Sequence, residues 1–326
     1  MTADSLEVLR LALKQLSARI EDVKLALREA RVDSSVERLA ECMESSTCTV
    51  LLGGRGMSVE PQQLAPQIAE SLGYRSDMNG DVLEFISSHG GSDEYVRQLT
   101  DVENTQLPKR EHFAVGLMAK RRFLSCYVTT NYTNEIEKVC ALMDIPFTKS
   151  VSNNAVFRVL HVNGDMRAII CENCGRVEYI PTILSPRVEY EIECHCGWKG
   201  LYKVAVFPQE ERTVKSVYDA AVRQLRSADL VIVCGWSGRY DPDILKILKG
   251  VKDRVFCVNP DRSAPVCGVS KEVFVGDAGS FFASLAKALG FKERDVNVKP
   301  KKLLLAYPNW VIKEFLEKLP EDLAKL

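Results

Sequence analysis

The chain has 326 residues, 46% of them hydrophobic, and its formal net charge is −1 at pH 7. This length allows one large hydrophobic core with a small additional module. The near-neutral charge excludes a general attraction to nucleic acid or to a membrane surface. Because the sequence has no run of eighteen apolar residues and its N-terminal residues lack the apolar part of a secretion signal, we expect a cytoplasmic protein.

The first predicted element is an amphipathic helix over residues 5–30. Its apolar residues recur at alternating spacings of three and four, the pattern of three heptads: Leu6, Leu9, Leu13, Leu16, Ile20, Val23 and Leu27. Such a helix could form a coiled coil that joins two copies of the chain, or it could pack on its own domain. Residues 1–33 are therefore predicted as an N-terminal helix, with homo-oligomerisation through it as one of two alternatives.

Short apolar runs and helical patterns alternate through most of the remaining chain. A second helix is expected at 36–44, capped by Ser34 or Ser35. The predicted strands are 47–52, 124–129, 157–161, 204–207, 230–234 and 255–258, and the predicted later helices are 111–122, 135–143, 214–226, 243–248 and 280–289. This alternation predicts an α/β fold, a doubly wound parallel sheet of the Rossmann-like, dinucleotide-binding kind. Its ligand would lie at the carboxyl ends of the strands, where the strand order reverses.

One segment interrupts the alternation and divides the predicted domain. We assign residues 34–165 and 200–292 to the dinucleotide-binding domain and residues 166–199 to an inserted module. Residues 293–326 are predicted as a linker with lysine and proline, followed by a last helix near 310–318.

Four cysteines in the inserted module have the spacing of a zinc ribbon. Cys171 and Cys174 form one pair, Cys194 and Cys196 form the other, and nineteen residues lie between the pairs. Two such pairs can converge on one tetrahedral Zn²⁺, and four protein ligands would make the metal structural. Since the second pair is separated by one residue, His195 is an alternative ligand. The other seven of the eleven cysteines lie mostly on apolar runs and are expected in the core.

Glycine and small polar residues follow several predicted strands. Gly54-Arg-Gly-Met-Ser58 follows the first, and its glycines would allow the backbone to approach a pyrophosphate. Later strands end in Thr130–Asn131, Gly235–Ser237 and Asn259. Each polar residue singly could instead cap the next helix.

Taken in order, these motifs resemble those of the sirtuin superfamily over about residues 36–290. The glycine turn is similar to the family's G-A-G-x-S, Thr129-Thr-Asn-Tyr132 to its T-Q-N-I-D, and Gly235-Trp-Ser237 to its G-T-S. Further matches are Pro108-x-x-x-His112, the placement of Asn163-Gly164 before Cys171, and Asn259. The segments 129–137 and 235–244 look closer to prokaryotic sirtuin-like domains of the T-T-N-Y-D and G-Y-S-x-x-D-P-D type, several of which hydrolyse NAD.

The resemblance implies NAD and zinc as cofactors and assigns roles to individual residues. Asn131 would bind the ribose beside nicotinamide or the attacking water. The Arg55 guanidinium could pair with the diphosphate or crowd the turn. The complete set of implied cofactor-binding residues is Gly54, Arg55, Gly56, Ser58, Thr130, Asn131, Gly235, Trp236, Ser237 and Asn259.

The sequence also departs from the family at its catalytic positions. The family's general base is a histidine, and Asn163 stands in its place; an amide cannot accept a proton from a ribose hydroxyl. His161 lies two residues earlier, on the same face of a persisting strand, and could be a displaced base or a hydrogen-bonded core histidine. Asn131, Asn163 and His161 therefore form the predicted catalytic set. Thr133 replaces the family's aspartate, and Pro208 removes a backbone donor in the expected peptide-binding strand.

Three functions remain open. The first is an NAD-dependent deacylase-type transferase that acts on an acylated protein, with activity weakened by Asn163. The second is an NAD glycohydrolase, and the third is an inactive assembly module that holds NAD or ADP-ribose. The zinc ribbon favours the first of them. Nucleic acid is not an expected partner, because no basic and aromatic cluster surrounds the ribbon.

Overall fold

The computed structural model describes residues 3–58, 64–74, 82–149, 157–171, 177–179, 192–193, 196–197, 199–200, 202–206, 215–239 and 241–299. The predicted last helix near 310–318 and the segment Phe207–Gln209 lie outside these residues. Within the described part of the chain, none of the helices has the length and apolar character needed to cross a membrane.

A six-stranded, fully parallel sheet forms the centre of the fold. Its strands are β1 (Thr49–Gly53), β2 (Cys126–Thr129), β3 (Arg158–His161), β9 (Leu230–Cys234), β10 (Val255–Val258) and β11 (Glu272–Phe274). Their order is β11-β10-β9-β1-β2-β3, with β1 at the point where the order reverses. This is the doubly wound order of dinucleotide-binding folds, so the predicted fold class is confirmed.

Ten α-helices are present among the described residues. They are α1 (Ala3–Glu29), α2 (Ser34–Ser45), α3 (Leu64–Ser71), α4 (Val82–Ser88), α5 (Ser92–Thr105), α6 (Arg110–Lys120), α7 (Glu135–Leu142), α8 (Lys215–Ser227), α9 (Pro242–Gly250) and α10 (Ala278–Ala288). Both faces of the sheet are covered. Leu51 packs in a core with α1, α2, α6, α7 and α10, whereas Val50 and Leu52 pack in a second core with α8 and α9. Side chains alternate along a strand, which is why neighbouring residues enter different cores.

A second, antiparallel sheet lies in the segment that interrupts the alternation. It consists of β4 (Gly164–Cys171), β5 (Val177–Tyr179) and β8 (Tyr202–Val206), in the order β5-β4-β8, while β6 (Ile192–Glu193) pairs with β7 (Lys199–Gly200). The strand predicted at 204–207 therefore belongs to this sheet, and its assignment to the parallel sheet was wrong. Short apolar runs do not distinguish the two kinds of sheet.

The N-terminal helix packs against its own domain over its described side chains. Leu16, Val23 and Leu27 are buried in the core that also contains side chains of α6 and α10. The carboxylate of Glu293 forms a two-pronged ion pair with Arg28, at 2.7 Å and 2.8 Å. The heptad spacing is thus explained by intramolecular packing, and the coiled-coil dimer is not supported.

Local details differ from the sequence predictions at two places. Asp33, rather than Ser34 or Ser35, caps α2, since its carboxylate accepts hydrogen bonds from the amides of Ser35 and Val36. Helices α3, α4 and α5 were not predicted. They enclose a small core in which Tyr95 and Leu99 lie with residues of the other two helices.

Candidate functional site

The register of the parallel sheet brings the predicted strand ends together. Gly53 pairs with Thr129 on one side and with Cys234 on the other, and the row continues to His161 and Val258. Because adjacent strands lie about 4.8 Å apart, the residues that follow this row form one continuous edge. We call the loops 54–58, 130–131 and 235–238, together with Asn259, the strand-end site.

The glycines of two of these loops are in direct contact. A Cβ added to Gly54 would lie 2.6 Å from the carbonyl oxygen of Gly235 and from Cα of Trp236, and a Cβ on Gly56 would lie 2.7 Å from Cα of Gly235. Gly235 itself has φ of +65°, a conformation that favours glycine. These glycines are therefore required by close packing of the loops after β1 and β9, whether or not a ligand approaches them.

The backbone amides of the loop after β1 are already hydrogen-bonded within the protein. The amide of Gly54 donates to the Cys234 carbonyl and that of Gly56 to the Gly235 carbonyl, both at 2.9 Å, and the amide of Ser58 donates to Arg55. The expectation that the glycine-turn amides hold a diphosphate conflicts with these bonds. The side chain of Arg55 is exposed on this turn, and its role beside a diphosphate stays a prediction.

The loop after β9 has the opposite character. The amides of Trp236, Ser237 and Gly238 donate to no acceptor among the described residues, although Gly235 donates to Val258. Gly238 has φ of +78°. Three successive amides without acceptors in the described part of the chain are suited to an anionic oxygen, which makes this loop the better candidate for phosphate contacts.

Asn131 lies between the two loops and is buried, with 7% of its surface exposed. Its Nδ2 donates to the Gly54 carbonyl at 2.9 Å, and its amide N donates to the hydroxyl of Thr129 at 3.0 Å. The side-chain amide is therefore fixed in one orientation. Its Oδ1 accepts no hydrogen bond from the described residues and remains available to a ligand hydroxyl or a water.

Ser58 is the last residue of the loop after β1. Its side chain is buried, and its hydroxyl lies 3.1 Å from the hydroxyl of Thr133 and 3.4 Å from Oε1 of Glu135. Its carbonyl accepts from Nζ of Lys109 at 2.6 Å, and the neighbouring Met57 carbonyl contacts Nε2 of His112. The hydroxyl of Ser58 thus helps to fix the turn, and it does not project from the edge.

Two further predicted residues hold the loops of the site. Asn259 donates from Nδ2 to the Trp236 carbonyl at 3.2 Å and accepts from the amide of Asp261 at 2.9 Å. Thr130 donates its amide to the Gly53 carbonyl, and its own carbonyl accepts from Nδ2 of Asn163 at 3.3 Å. Asn163, which the sequence resemblance aligns with the family's general base, is thus placed next to the loop after β2.

His161 points away from the edge, toward α7. It lies in the same register row as Thr129 and Gly53. Val159, two residues earlier on the same strand, faces the core on the α7 side, and the side chain of His161 points to that same face. Its Nδ1 lies 2.8 Å from the Asn131 carbonyl and its Nε2 lies 2.7 Å from Oε1 of Glu137. This geometry favours the hydrogen-bonded core histidine over the displaced base, because both ring nitrogens are engaged.

A buried cluster of charges surrounds His161, and we call Glu137, Lys149, His161 and Asp165 the charge cluster. Nζ of Lys149 lies 2.9 Å from Glu137 and 2.6 Å from Asp165. Burial alone would lower the pKa of His161, but the carboxylates of Asp165 and Glu137 outweigh it and raise this pKa to about 9. For Glu137, whose burial would raise the pKa, Lys149 and His161 lower it well below its ordinary value.

The charge cluster contains three possible metal ligands within 4.8 Å of one another, namely Glu137, His161 and Asp165. The ammonium of Lys149 already contacts both carboxylates and supplies the compensating positive charge. Two anions and two cations balance one another, so we assign no metal to this cluster.

A second buried ion-pair group is centred on Glu103 of α5. The fully buried Glu103 accepts from Arg167 at 2.9 Å, lies 3.2 Å from Nζ of Lys138, and accepts from the amide of Asn134 at 3.0 Å. Glu103 thereby joins α5, the start of α7 and β4. Neither this group nor Lys149 was predicted, because the sequence gives no motif for them. Glu135 and Glu137, the acidic residues at the start of α7, do lie within the segment 129–137 that resembles sirtuin-like domains.

The proposed zinc ligands are only partly within the described residues. Cys171 is the last residue of β4 and Cys196 is exposed in a turn. Cys174, Cys194 and the alternative ligand His195 lie outside. The zinc site therefore stays a prediction. Of the other cysteines, four are buried as expected, Cys126, Cys140, Cys234 and Cys257.

The chain is similar in sequence to several known proteins. No protein-family profile matches the chain. An NAD-dependent protein deacetylase of Listeria innocua is 29% identical over 130 residues, 39% of this chain and 53% of that protein. The NAD-dependent protein deacylase 1 of Archaeoglobus fulgidus is 24% identical over 196 residues, 59% of this chain and 71% of that protein. The chain thus spans about half the length of the first relative.

Solved structures show the same fold. A Sir2 homologue in complex with NAD is 20% identical with a TM-score of 0.55, covering 80% of this chain and 95% of that one. A Sir2 protein in complex with an inhibitor, 2′-O-acetyl-ADP-ribose and a deacetylated p53 peptide is 16% identical with a TM-score of 0.53, covering 78% and 98%. The strand order and the loops at its reversal define a doubly wound fold of the dinucleotide-binding class. Within that class, the chain is similar in sequence to NAD-dependent deacetylases and deacylases and in fold to Sir2 proteins.

Proposed function

We propose that this protein binds NAD at the strand-end site and breaks the bond between nicotinamide and ribose. The observation that carries the proposal is Asn131, a buried amide oriented by the Gly54 carbonyl, with Oδ1 left as an acceptor at the sheet edge. When bound, NAD would supply a ribosyl centre that becomes electron-poor as nicotinamide leaves. Such a centre is stabilised by oriented dipoles more than by a strong base.

The groups at the edge suit the parts of a dinucleotide. The amides of Trp236, Ser237 and Gly238 would donate to phosphate oxygens, and the exposed guanidinium of Arg55 would pair with the same diphosphate. Oδ1 of Asn131 would accept from a ribose hydroxyl or hold the attacking water. Asn259 holds the loop of Trp236 and would contact the adenosine ribose.

An acyl-lysine of a protein is the first candidate for the acceptor of the ADP-ribosyl group. The names of the two relatives described above, an NAD-dependent deacetylase and an NAD-dependent deacylase, support this deacylase-type transfer. A zinc ribbon in this chain would add to the similarity. The steps after nicotinamide leaves need a proton acceptor, and Asn163 cannot serve as one.

Water is the second candidate for the acceptor, which would make the protein an NAD glycohydrolase. The placement of His161 favours it, because both ring nitrogens are engaged with the Asn131 carbonyl and Glu137. A site without an available base can still release nicotinamide and pass the ADP-ribosyl group to water. The later steps of deacylation, by contrast, need a proton acceptor.

Nicotinamide release separates these functions. The purified protein is supplied with NAD, with and without an acyl-lysine peptide, and nicotinamide and ADP-ribose are quantified. Release that requires the peptide supports the transferase, and equal release without it supports the hydrolase. Saturable NAD binding without release by either route would contradict both enzymatic functions and select the binding module. Asn131→Ala should abolish most turnover, while Leu248→Ala, a core change in α9, serves as a control for general destabilisation.

We propose separately that Cys171, Cys174, Cys194 and Cys196 bind one structural zinc ion. Cys174→Ala should lose the metal and destabilise the chain, since a structural site contributes folding free energy. Zinc content by mass spectrometry and thermal unfolding measure this, with Cys42→Ala in α2 as the matched control. A folded wild-type chain without zinc would contradict the assignment.

A further inference from the structure

His161 connects a buried ion pair to the backbone of the residue that the proposed function relies on most. Nε2 of its ring lies 2.7 Å from Glu137 and Nδ1 lies 2.8 Å from the Asn131 carbonyl. Glu137 is held in turn by Lys149, which also contacts Asp165. All of these side chains are buried or nearly so.

The two neighbours of the imidazole determine its protonation state. A carbonyl oxygen and a carboxylate both accept hydrogen bonds, so each ring nitrogen must carry a hydrogen. Only the imidazolium ion has two N–H donors. A neutral ring would place a lone pair against one of the two oxygens, and the cluster would then hold two anions with one cation. The same conclusion thus follows from hydrogen-bond geometry and from charge balance.

The contact between His161 and the Asn131 carbonyl matters because it is one of three hydrogen bonds that fix Asn131. Its amide donates to the hydroxyl of Thr129, its side chain donates to the Gly54 carbonyl, and its carbonyl accepts from His161. Removing the contact to the carbonyl frees the peptide unit to rotate. A displacement of about 1 Å at a reacting centre can reduce the rate on the order of a hundredfold.

We propose that His161, with Glu137 behind it, is a positioning residue that fixes Asn131 for cleavage of the nicotinamide–ribose bond. The inference rests on the proposed function of Asn131. It differs from the displaced-base hypothesis, since His161 here keeps both protons and acts through the Asn131 carbonyl. His161 is therefore not assigned as a catalytic residue.

Two amide variants separate positioning from a structural role. The side-chain nitrogen of asparagine can take the place of Nδ1 of the imidazole, and that of glutamine the place of Nε2. His161→Asn can therefore keep donation to the Asn131 carbonyl and lose Glu137, while His161→Gln can keep Glu137 and lose the carbonyl. Both variants lose the positive charge, so both should be destabilised to a similar extent.

Nicotinamide release and NAD affinity are measured on both variants at a temperature where both are folded. We expect release by His161→Gln to fall on the order of a hundredfold and release by His161→Asn to fall less than tenfold. If the wild-type chain binds NAD without releasing nicotinamide, the same ranking is expected in the dissociation constants. Equal losses in the two variants, or no loss in either, would overturn the positioning role.

Two further variants keep this test distinct from that of the proposed function. If Asn131→Ala leaves release and NAD affinity unchanged, the role of Asn131 fails, and the positioning role fails with it. If Asn131→Ala is impaired while both His161 variants match wild type, only the positioning role fails. Leu248→Ala, a destabilising change in the core on the opposite face of the sheet from His161, should leave kcat unchanged and shows that lost stability alone does not reproduce the effect.

Discussion

The loop after β1 and the loop after β9 meet at the same edge of the sheet, and both are rich in glycine, yet they use their backbones differently. In the first, the amides of Gly54 and Gly56 donate to carbonyls of the protein. In the second, the amides of Trp236, Ser237 and Gly238 have no acceptor among the described residues. The first loop is therefore held by bonds within the protein, and the second is the part of the edge where we expect an anion to bind.

The support beneath the two loops differs as well. The β1 side of the site, including Asn131, rests on the charge cluster through His161. The β9 side rests on an apolar core, where Trp236 packs with Val266 and residues of α9. A change of pH should therefore alter the β1 side and leave the β9 side in place. This difference indicates that glycine motifs alone do not tell which loop of such a fold holds phosphate.

The largest effect is expected where the two loops touch. Gly54→Ala places a Cβ 2.6 Å from backbone atoms of Gly235 and Trp236. Backbone atoms cannot move aside cheaply, so we expect a loss of about 3 kcal/mol or more in the free energy of unfolding. Urea denaturation measures it. Gly250→Ala at the end of α9, with open space around it, is the control and should be neutral or slightly stabilising.

The charge cluster predicts that stability falls at alkaline pH. The pKa of His161 is raised to about 9 in the folded protein from about 6.5 in the unfolded chain. The contribution of the imidazolium is complete below pH 6.5 and is lost as the pH rises through 9, with a total on the order of 3 kcal/mol. Denaturation experiments between pH 6 and pH 9 measure how the free energy of unfolding falls as the pH rises. His161→Asn leaves the cysteines and the other titratable groups unchanged, and it should remove this dependence of stability on pH. An unchanged dependence would show that another group causes it.

A smaller effect is expected at Arg55, on the exposed rim of the β1 loop. Loss of a charge-assisted contact to a diphosphate should weaken ADP-ribose binding about tenfold in Arg55→Ala. Adenosine, which lacks the diphosphate, should bind equally to both proteins. Calorimetry with the two ligands makes the comparison. Tighter binding of ADP-ribose by the variant would support the alternative that Arg55 crowds the turn.

The smallest effect is expected at Ser237. Its hydroxyl accepts from the amide of Arg239 at 3.3 Å, whereas the proposed ligand contact is its backbone amide. Ser237→Ala should therefore change the affinity for ADP-ribose by less than about threefold, below 1 kcal/mol. A tenfold loss would show that the side chain, and not the backbone, carries recognition on the β9 side.

Much of the fold was predictable from the sequence because strong local patterns specify it. Strands β9 and β10 were predicted at their observed bounds, since short apolar runs ended by Gly235 and Asn259 mark them clearly. Parallel register then brings the strand ends together. Tyr95, Leu99 and Val102 in α5 have helical spacing and could have revealed that helix.

The internal bonding of the site could not be predicted in the same way. Whether the amide of Gly54 is free depends on the Cys234 carbonyl, which is 180 residues away in the chain. Lys149 and Glu103 belong to no motif, and only the folded chain brings them to His161 and Arg167. Hydrogen-bond pairing and buried charge depend on tertiary structure, which local pattern does not encode.

The most direct test of the account is amide NMR of the zinc-replete chain during titration with ADP-ribose. We expect saturable shifts at the amides of Trp236, Ser237 and Gly238, with the side-chain amide of Asn131 also perturbed. The amides of Gly54 and Gly56, already bonded to carbonyls, should move much less. Shifts centred on Gly54 and Gly56, or no shift at the loop after β9, would contradict it.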